Sequence, residues 1–173
     1  MNIGIFSDIH DNIDKLNHAF DVFQKEQVDQ AIFGGDLVSP FTLKFLKSWP
    51  FPIKAVFGNN EGDTWGIARR LKKYALTNFE YPEKGFFWEM ECETKKIAVF
   101  HGHLYEVTQL MVESGKYDLV VTGHTHEPHI KTVKSTLWIN PGCVCGVSEN
   151  EKVTTATVAL YNSTTNQARI IPI

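Results

Sequence analysis

Five short apolar runs in this chain end in residues that can bind a cation. Ile3–Phe6 leads into Asp8 and His10, and Ala31–Phe33 leads through Gly34 and Gly35 into Asp36. Ala55–Phe57 leads through Gly58 into Asn59, Asn60 and Glu61. Ile97–Phe100 leads into His101 and His103, and Leu119–Thr122 leads through Gly123 into His124 and His126. Carboxylate, amide and imidazole make a mixed oxygen and nitrogen donor set without thiolate. Such a set suits Mn2+, Fe2+, Co2+, Ni2+ or Zn2+ better than a four-cysteine structural zinc, and its nitrogens disfavour Ca2+. The seven candidate ligands, Asp8, His10, Asp36, Asn59, His101, His124 and His126, exceed what one catalytic ion needs. Shared over two ions with one bridging carboxylate, they leave positions open for water and substrate. Two ions about 3.5–4 Å apart can clamp the attacking and leaving oxygens of a phosphoryl displacement and lower the pKa of a bound water.

These residues meet only if the runs before them lie side by side, because ligands in open α/β sheets sit outside the carboxyl ends of the strands. The glycines at three of the exits allow the backbone a close approach that a side chain would block. Residues 2–7 read as a strand. Residues 12–26 read as a helix, with Ile13, Leu16, Phe20 and Phe23 on one face. Ala31–Phe33 is a buried strand. Ser39-Pro40 reads as an N-cap and first helical residue, opening a helix to about Lys47. Ile53–Phe57 is the next strand, and Asp63 or Thr64 caps a helix through about Ala75 with Ile67, Leu71 and Tyr74 inward. Gly85–Glu91 and Lys96–Phe100 are adjacent strands with a turn at Glu93-Thr94, residues 105–114 a helix, and Leu119–Val121 a buried strand. The remainder reads as β: Ile130–Val133, Thr136–Ile139, Val153–Tyr161 and Gln167–Ile171. An α/β half followed by a β-rich half predicts two mixed sheets packed together with helices outside.

Composition bounds the partners. The 173 residues suit one domain, 1–173, and 43% hydrophobic with 21% charged residues is a globular mixture that excludes extensive disorder. A net charge of −3, with no stripe of basic and aromatic residues, argues against a nucleic-acid or acidic-membrane coat. No run approaches the ~20 apolar residues of a membrane helix, and the N-terminus lacks a signal-peptide pattern. Cys92, Cys143 and Cys145 are too few for a disulfide framework, so reduced thiols in the cytoplasm are expected.

Asp8-Ile9-His10, Gly34-Gly35-Asp36, Gly58-Asn59-Asn60-Glu61, His101-Gly102-His103 and Gly123-His124-Thr125-His126 resemble the ordered signature blocks of the calcineurin-like metallophosphoesterases, in particular their small single-domain, YfcE-like phosphodiesterase branch. The resemblance implies an α/β fold, a four-layer α-β-β-α sandwich with two mixed β-sheets and helices on the outer faces. It implies Asp8, His10 and His126 on a first metal, Asn59, His101 and His124 on a second, and Asp36 bridging. It further implies a phosphodiesterase with two divalent ions, manganese before nickel, cobalt, iron or zinc, and a metal-bridging hydroxide as nucleophile on a small phosphodiester. Relatives are often oligomeric, which leaves a homo-oligomer open. The same fold serves as a retromer scaffold subunit that has lost ligand residues, whereas all seven positions here carry competent side chains. A cyclic-nucleotide phosphodiesterase or nuclease would share the chemistry and differ in substrate.

The sequence departs from larger relatives at Asn60, where they carry a histidine thought to protonate the leaving group or bind the phosphate. An amide can donate to a phosphoryl oxygen but cannot act as a general acid near pH 7. Asn60 and His103 are therefore the candidate catalytic residues, with His103 either touching substrate or hydrogen-bonding a ligand. Asn12 reads as an N-cap or as a substrate contact, His129 as a surface or loop residue, and Trp65 as core, interface or pocket wall. The Arg69, Arg70, Lys72, Lys73 run reads as a solvated face, and Cys143 and Cys145 as strand neighbours too few to complete a metal site.

Overall fold

The computed structural model describes residues 1–173. Strand β1 (Asn2–Phe6) shows why the chain builds more than one apolar layer. Ile3 and Ile5 enter one cluster, while Phe6 points the other way into a second. The same division holds in β2 (Gln30–Phe33), with Ala31 and Phe33 on one side and Ile32 on the other, and around β3 (Ile53–Ala55), where Ile53 and Ala55 face one cluster and Val56, just past the strand, the other. Strands apolar on both faces must be covered on both faces.

Six strands form the first sheet in the order β11-β10-β1-β2-β3-β4, completed by β4 (Phe79–Glu80), β10 (Thr157–Asn162) and β11 (Gln167–Pro172). β1 to β4 are parallel, and β10 and β11 add antiparallel. The second sheet runs β5-β6-β7-β9-β8, from β5 (Phe87–Cys92), β6 (Lys95–Phe100), β7 (Leu119–Val121), β8 (His129–Val133) and β9 (Thr136–Asn140). Its inner strands β6, β7 and β9 are parallel, and its edge strands β5 and β8 are antiparallel to their neighbours.

Three apolar layers hold four structural ones. Ile3, Ile5 and Ile32 of the first sheet pack on Ile97, Val99, Leu119, Val121 and Ile139 of the second. Outside the first sheet, Leu16, Ala19 and Phe23 of α1 (Ile13–Lys25), Leu43 and Leu46 of α2 (Leu43–Leu46) and Ile67 of α3 (Thr64–Tyr74) join Phe6, Phe33 and Trp49. Outside the second, Met111 and Val112 of α4 (Tyr105–Glu113) cover Ala98, Phe100 and Val120. The order is helix, sheet, sheet, helix, the four-layer α-β-β-α sandwich that the signature blocks implied. Trp88 joins the sheets directly, donating from Nε1 to the Ala55 carbonyl at 2.9 Å.

The capping expectations hold for two helices and fail for one. Asn12 Oδ1 accepts from Lys15 N, and Asp63 Oδ1 from Gly66 N at 2.7 Å. Ser39-Pro40 does not open a long helix, and α2 starts only at Leu43. The Asp11 carboxylate takes the Ser39 N–H at 3.1 Å and the Thr42 hydroxyl, which fixes this stretch as a turn. β10 begins at Thr157 rather than Val153, because Thr154 N donates instead to the Gly146 carbonyl within a loop. Cys143 and Cys145 lie in a loop, not a strand, though Val144 N and Cys145 N bond the carbonyls of Ser7 and Asp8 beyond the end of β1.

Candidate metal centre

Each of the five strand exits leaves its sheet on the same side, and backbone bonds stitch the exits together. Asp8 N donates to Gly35 O at 2.9 Å, and Ile9 N to Asp36 O at 3.0 Å. Gly123 N donates to His101 O at 2.8 Å. Glu61 joins the second and third exits. Its Oε1 accepts from Asp36 N and Leu37 N at 3.1 and 3.3 Å, and its Oε2 from Gly58 N at 2.9 Å. A carboxylate accepting several backbone N–H groups is a strong tether.

The backbone is strained where the candidate ligands sit. Asp8, His10, Asp36, His124 and His126 all have positive φ, from 42° to 69°, which side chains other than glycine adopt at a cost. Five of the seven sharing this feature points to a function, since such conformations persist only where the surroundings impose them. Gly58 permits a close approach to Asp36. A Cβ there would run into the Asp36 carboxylate, its Cγ only 2.8 Å away.

All seven side chains converge. Asp8 Oδ1 lies 3.2 Å from His126 Nε2 and 3.9 Å from both His10 Nε2 and His101 Nε2. Asp36 turns Oδ2 toward His10 Nε2 and Oδ1 toward His101 Nε2, each at 3.4 Å. Asn59 Oδ1 lies 2.9 Å from both His101 Nε2 and His124 Nδ1. One oxygen of Asp36 thus serves each half of the cluster.

Tautomers sharpen the picture. His101 Nδ1 lies 2.7 Å from the Gly34 carbonyl, and His126 Nδ1 is 2.5 Å from that of Val147. A carbonyl only accepts, so each Nδ1 carries a hydrogen, and each ring in the neutral form that binds a metal turns an Nε2 lone pair inward. These lone pairs face carboxylate and amide oxygens, which are also acceptors. Asp8 Oδ1 and His10 Nε2 are buried without a hydrogen-bond partner. Acceptors facing acceptors around buried, unpartnered atoms require positive charge between them, supplied by protons on the imidazoles when no metal is bound, and a divalent cation in their place fits this donor set.

Charge at the site follows the same logic. Burial alone would raise the Asp36 carboxyl, but the His10 and His101 imidazoles beside it, each 3.4 Å away, and the hydrogen bonds from Asn60 hold it well below the usual carboxylate range. Burial likewise opposes charge on His126, yet Asp8 pushes it up to about 11. In Glu61, burial first and then the charge of Asp36 push the carboxyl up to about 7.

A cleft of about 680 Å3 opens onto the cluster, lined by His10, Asp36, Asn59, His124 and His126. Asn12 and Asn60 line it as well, so Asn12 is both helix cap and cleft wall. Asn60 binds Asp36 twice, donating from N to Oδ1 and from Nδ2 to Oδ2, each at 2.8 Å. His103 does not line the cleft. It packs against Phe100 with its Nδ1 buried and unpartnered, and burial and the charges of His101 and His124 lower its pKa. His129 packs edge-on against Trp138 away from the cluster, and Trp65 is 78% exposed on α3 beside a separate depression. The sequence placed Glu61 among the cation-binding residues at the third exit but outside the seven ligands, and its role as a backbone tether went unseen. Sequence reasoning also missed the Val147–Glu151 stretch on the cleft wall, which carries no motif.

The family described as the calcineurin-like phosphoesterase superfamily domain matches residues 1–163. The phosphodiesterase MJ0936 of Methanocaldococcus jannaschii is 36% identical over 146 residues, spanning 84% of this chain and 86% of the relative. A solved archaeal phosphodiesterase superposes with a TM-score of 0.87 at 32% identity, covering all of both chains. The zinc-complexed Vps29 of Entamoeba histolytica superposes with a TM-score of 0.69 at 16% identity, covering 100% of this chain and 98% of that one, a likeness of fold alone.

Proposed function

Because this chain belongs to the calcineurin-like phosphoesterase superfamily, whose members bind divalent metals, we propose that it is a metal-dependent phosphodiesterase with a dinuclear centre. Asp8, His10 and His126 would hold one ion, Asn59, His101 and His124 the other, and Asp36 both. The observation that carries the reading is the convergence of imidazole nitrogens, carboxylates and an amide oxygen from five strand ends, with Asp8 Oδ1 and His10 Nε2 buried and unpartnered among them. Manganese is the first candidate, with nickel, cobalt, iron and zinc as alternatives. When bound, the ions supply Lewis-acid charge for the phosphoryl group and an activated water.

The residues of the chain set the geometry for that chemistry. Gly34 and Val147 carbonyls fix the imidazoles of His101 and His126, and Glu61 fixes the loop that carries Asp36. Asn60 positions Asp36 and keeps one further amide N–H for a phosphoryl oxygen in the cleft. That amide supplies no proton, and His103 stands outside the cleft with a lowered pKa, so substrates with good leaving groups are favoured. We assign His103 a positioning role behind His101, their ring centroids 5.8 Å apart. The cleft suits a small phosphodiester. Three unpaired cysteines fit a reducing compartment, the cytoplasm, and no helix is long and apolar enough to cross a membrane.

Metal-depleted protein, reloaded with Mn2+, Ni2+ or Co2+, is to be assayed on bis-p-nitrophenyl phosphate and on the corresponding monoester. Metal-dependent turnover with the diester preferred is expected. No turnover with any ion would replace the enzyme reading with a scaffold.

A further inference from the structure

Cys143 and Cys145 take no part in the chemistry just described, yet both are buried against the outer edge of His126. Cys145 Sγ lies 3.8 Å from His126 Nδ1, and the two sulfurs and a ring nitrogen of His126 lie within 4.8 Å of one another. The Val147 carbonyl gathers all three. It accepts from His126 Nδ1 at 2.5 Å, from Cys143 Sγ at 3.3 Å and from Cys145 Sγ at 3.5 Å. A tetrahedral zinc ion sets two thiolate sulfurs about 3.8 Å apart and each about 3.5 Å from an imidazole nitrogen. Cys145 Sγ and Nδ1 are near that separation, the three donors already surround one point, and the Val147 carbonyl oxygen that now occupies it withdraws when an ion takes its place. Cys145 also lines the cleft, so an ion has a path in and a position for water as fourth ligand.

We propose that Cys143, Cys145 and Nδ1 of His126 form a second cation site for a thiophilic ion, zinc, separate in chemistry from the oxygen and nitrogen cluster. Thiolates select soft ions such as Zn2+, whereas the cluster of Asp8 and Asp36 accepts harder ones such as Mn2+. The two sites share one ring and exclude each other. With Nδ1 on zinc, the neutral ring carries its proton on Nε2, 3.2 Å from Asp8 Oδ1, which receives it after a small rotation. A carboxylate beyond a zinc-bound imidazole is a frequent orienting partner. The proton balance closes: each thiol releases one proton to solvent, Nδ1 gives up its hydrogen, and the ring keeps a single proton, on Nε2. The lone pair that faced Asp8 is then lost, so zinc at the thiols lowers manganese occupancy, and manganese lowers that of zinc by the same factor. The exclusion rests on the proposed role of His126, while the thiol site does not.

Cadmium serves as the spectroscopic probe. Titration of the metal-depleted protein with Cd2+ should produce thiolate-to-metal charge-transfer absorption. The Cys143→Ser/Cys145→Ser variant should lose it, and Cys92→Ser, altered at a thiol beside Met1, should keep it. Should the double variant fail to fold, Cys145→Ser alone should weaken the band. Absence of the band in the unmodified protein, or its persistence in the folded double variant, overturns the site. In protein preloaded with Mn2+, growth of the band should release manganese detectable by electron paramagnetic resonance. Manganese retained while the band grows overturns the exclusion. Failure of manganese to bind at all counts against the proposed function, and the cadmium titration still decides the thiol site.

Discussion

Asp8 Oδ2 accepts the backbone N–H of His124 at 3.1 Å, a bond between residues 116 positions apart that follow strands of different sheets. The other oxygen, Oδ1, faces His10, His101 and His126 without a hydrogen bond of its own. One carboxylate thus divides its work, with one oxygen tying the sheets together and one left for the cluster.

The division predicts how Asp8→Asn behaves. The amide oxygen can keep the His124 N–H, while its NH2 replaces the free oxygen with a donor that repels a cation. Stability of the metal-free protein should change by less than about 1 kcal/mol, while metal affinity falls by about 10²-fold or more. Thermal unfolding and isothermal titration with Mn2+ give the two numbers. A variant that unfolds easily yet binds metal normally would reverse the assignment.

Asp36→Asn should be broader in effect, because Asp36 places one oxygen toward His10 and the other toward His101. Both ions should be lost together, and the rate on a chromogenic diester should fall by about 10³-fold. Elemental analysis after dialysis checks the stoichiometry. Loss of one ion with retention of the other would show that Asp36 serves only one half.

Glu61 holds three backbone N–H groups and touches no candidate ligand side chain. Glu61→Ala should leave those donors without their acceptor and cost about 2–4 kcal/mol, or roughly 4–16 °C in Tm. Glu61→Gln, which keeps one oxygen, should fall between the two. Equal Tm for all three proteins would show that the tether is not needed.

His129 offers a pH test away from the cluster. Burial first, then the charge of Lys131, lowers its pKa to about 4, while a weak bond to the Glu127 backbone opposes this. Unfolded, it titrates near 6.5, so between pH 6.5 and 4 the unfolded chain binds more protons than the folded one. Stability is therefore lost as pH falls through that window. His129→Phe should shrink the drop in Tm between pH 7.5 and 5 by about 2–4 °C, corresponding to on the order of 1 kcal/mol for this partly solvated group. An identical drop in both proteins would show that His129 titrates normally in the fold.

Much of the architecture was legible because alternation of apolar residues sets a strand's two faces. Ile3 and Ile5 against Phe6, and Ile97 and Val99 against Ala98 and Phe100, already encode two apolar layers. Local capping chemistry was legible too where the partner is three residues away, as at Asn12 and Asp63. It failed at Ser39, because the competing acceptor, Asp11, is 28 residues distant and no local pattern announces it. The two-residue β4 escaped notice, since Phe79–Glu80 is too short to show a period and exists only by pairing with β3.

By itself, the sequence determined which chemical groups stand at the strand exits, and hence the class of cation they suit, because ligand type is fixed by residue identity and exit position by the apolar run before it. Only the tertiary structure decided how those groups are used. The inward nitrogen of His101 and of His126 depends on carbonyls at Gly34 and Val147, 67 and 21 positions away. The proximity of Cys143 and Cys145 to His126 arises from a loop bonded to the residues following β1. A ring's tautomer is set by what its other nitrogen touches, and that contact exists only after distant segments have packed.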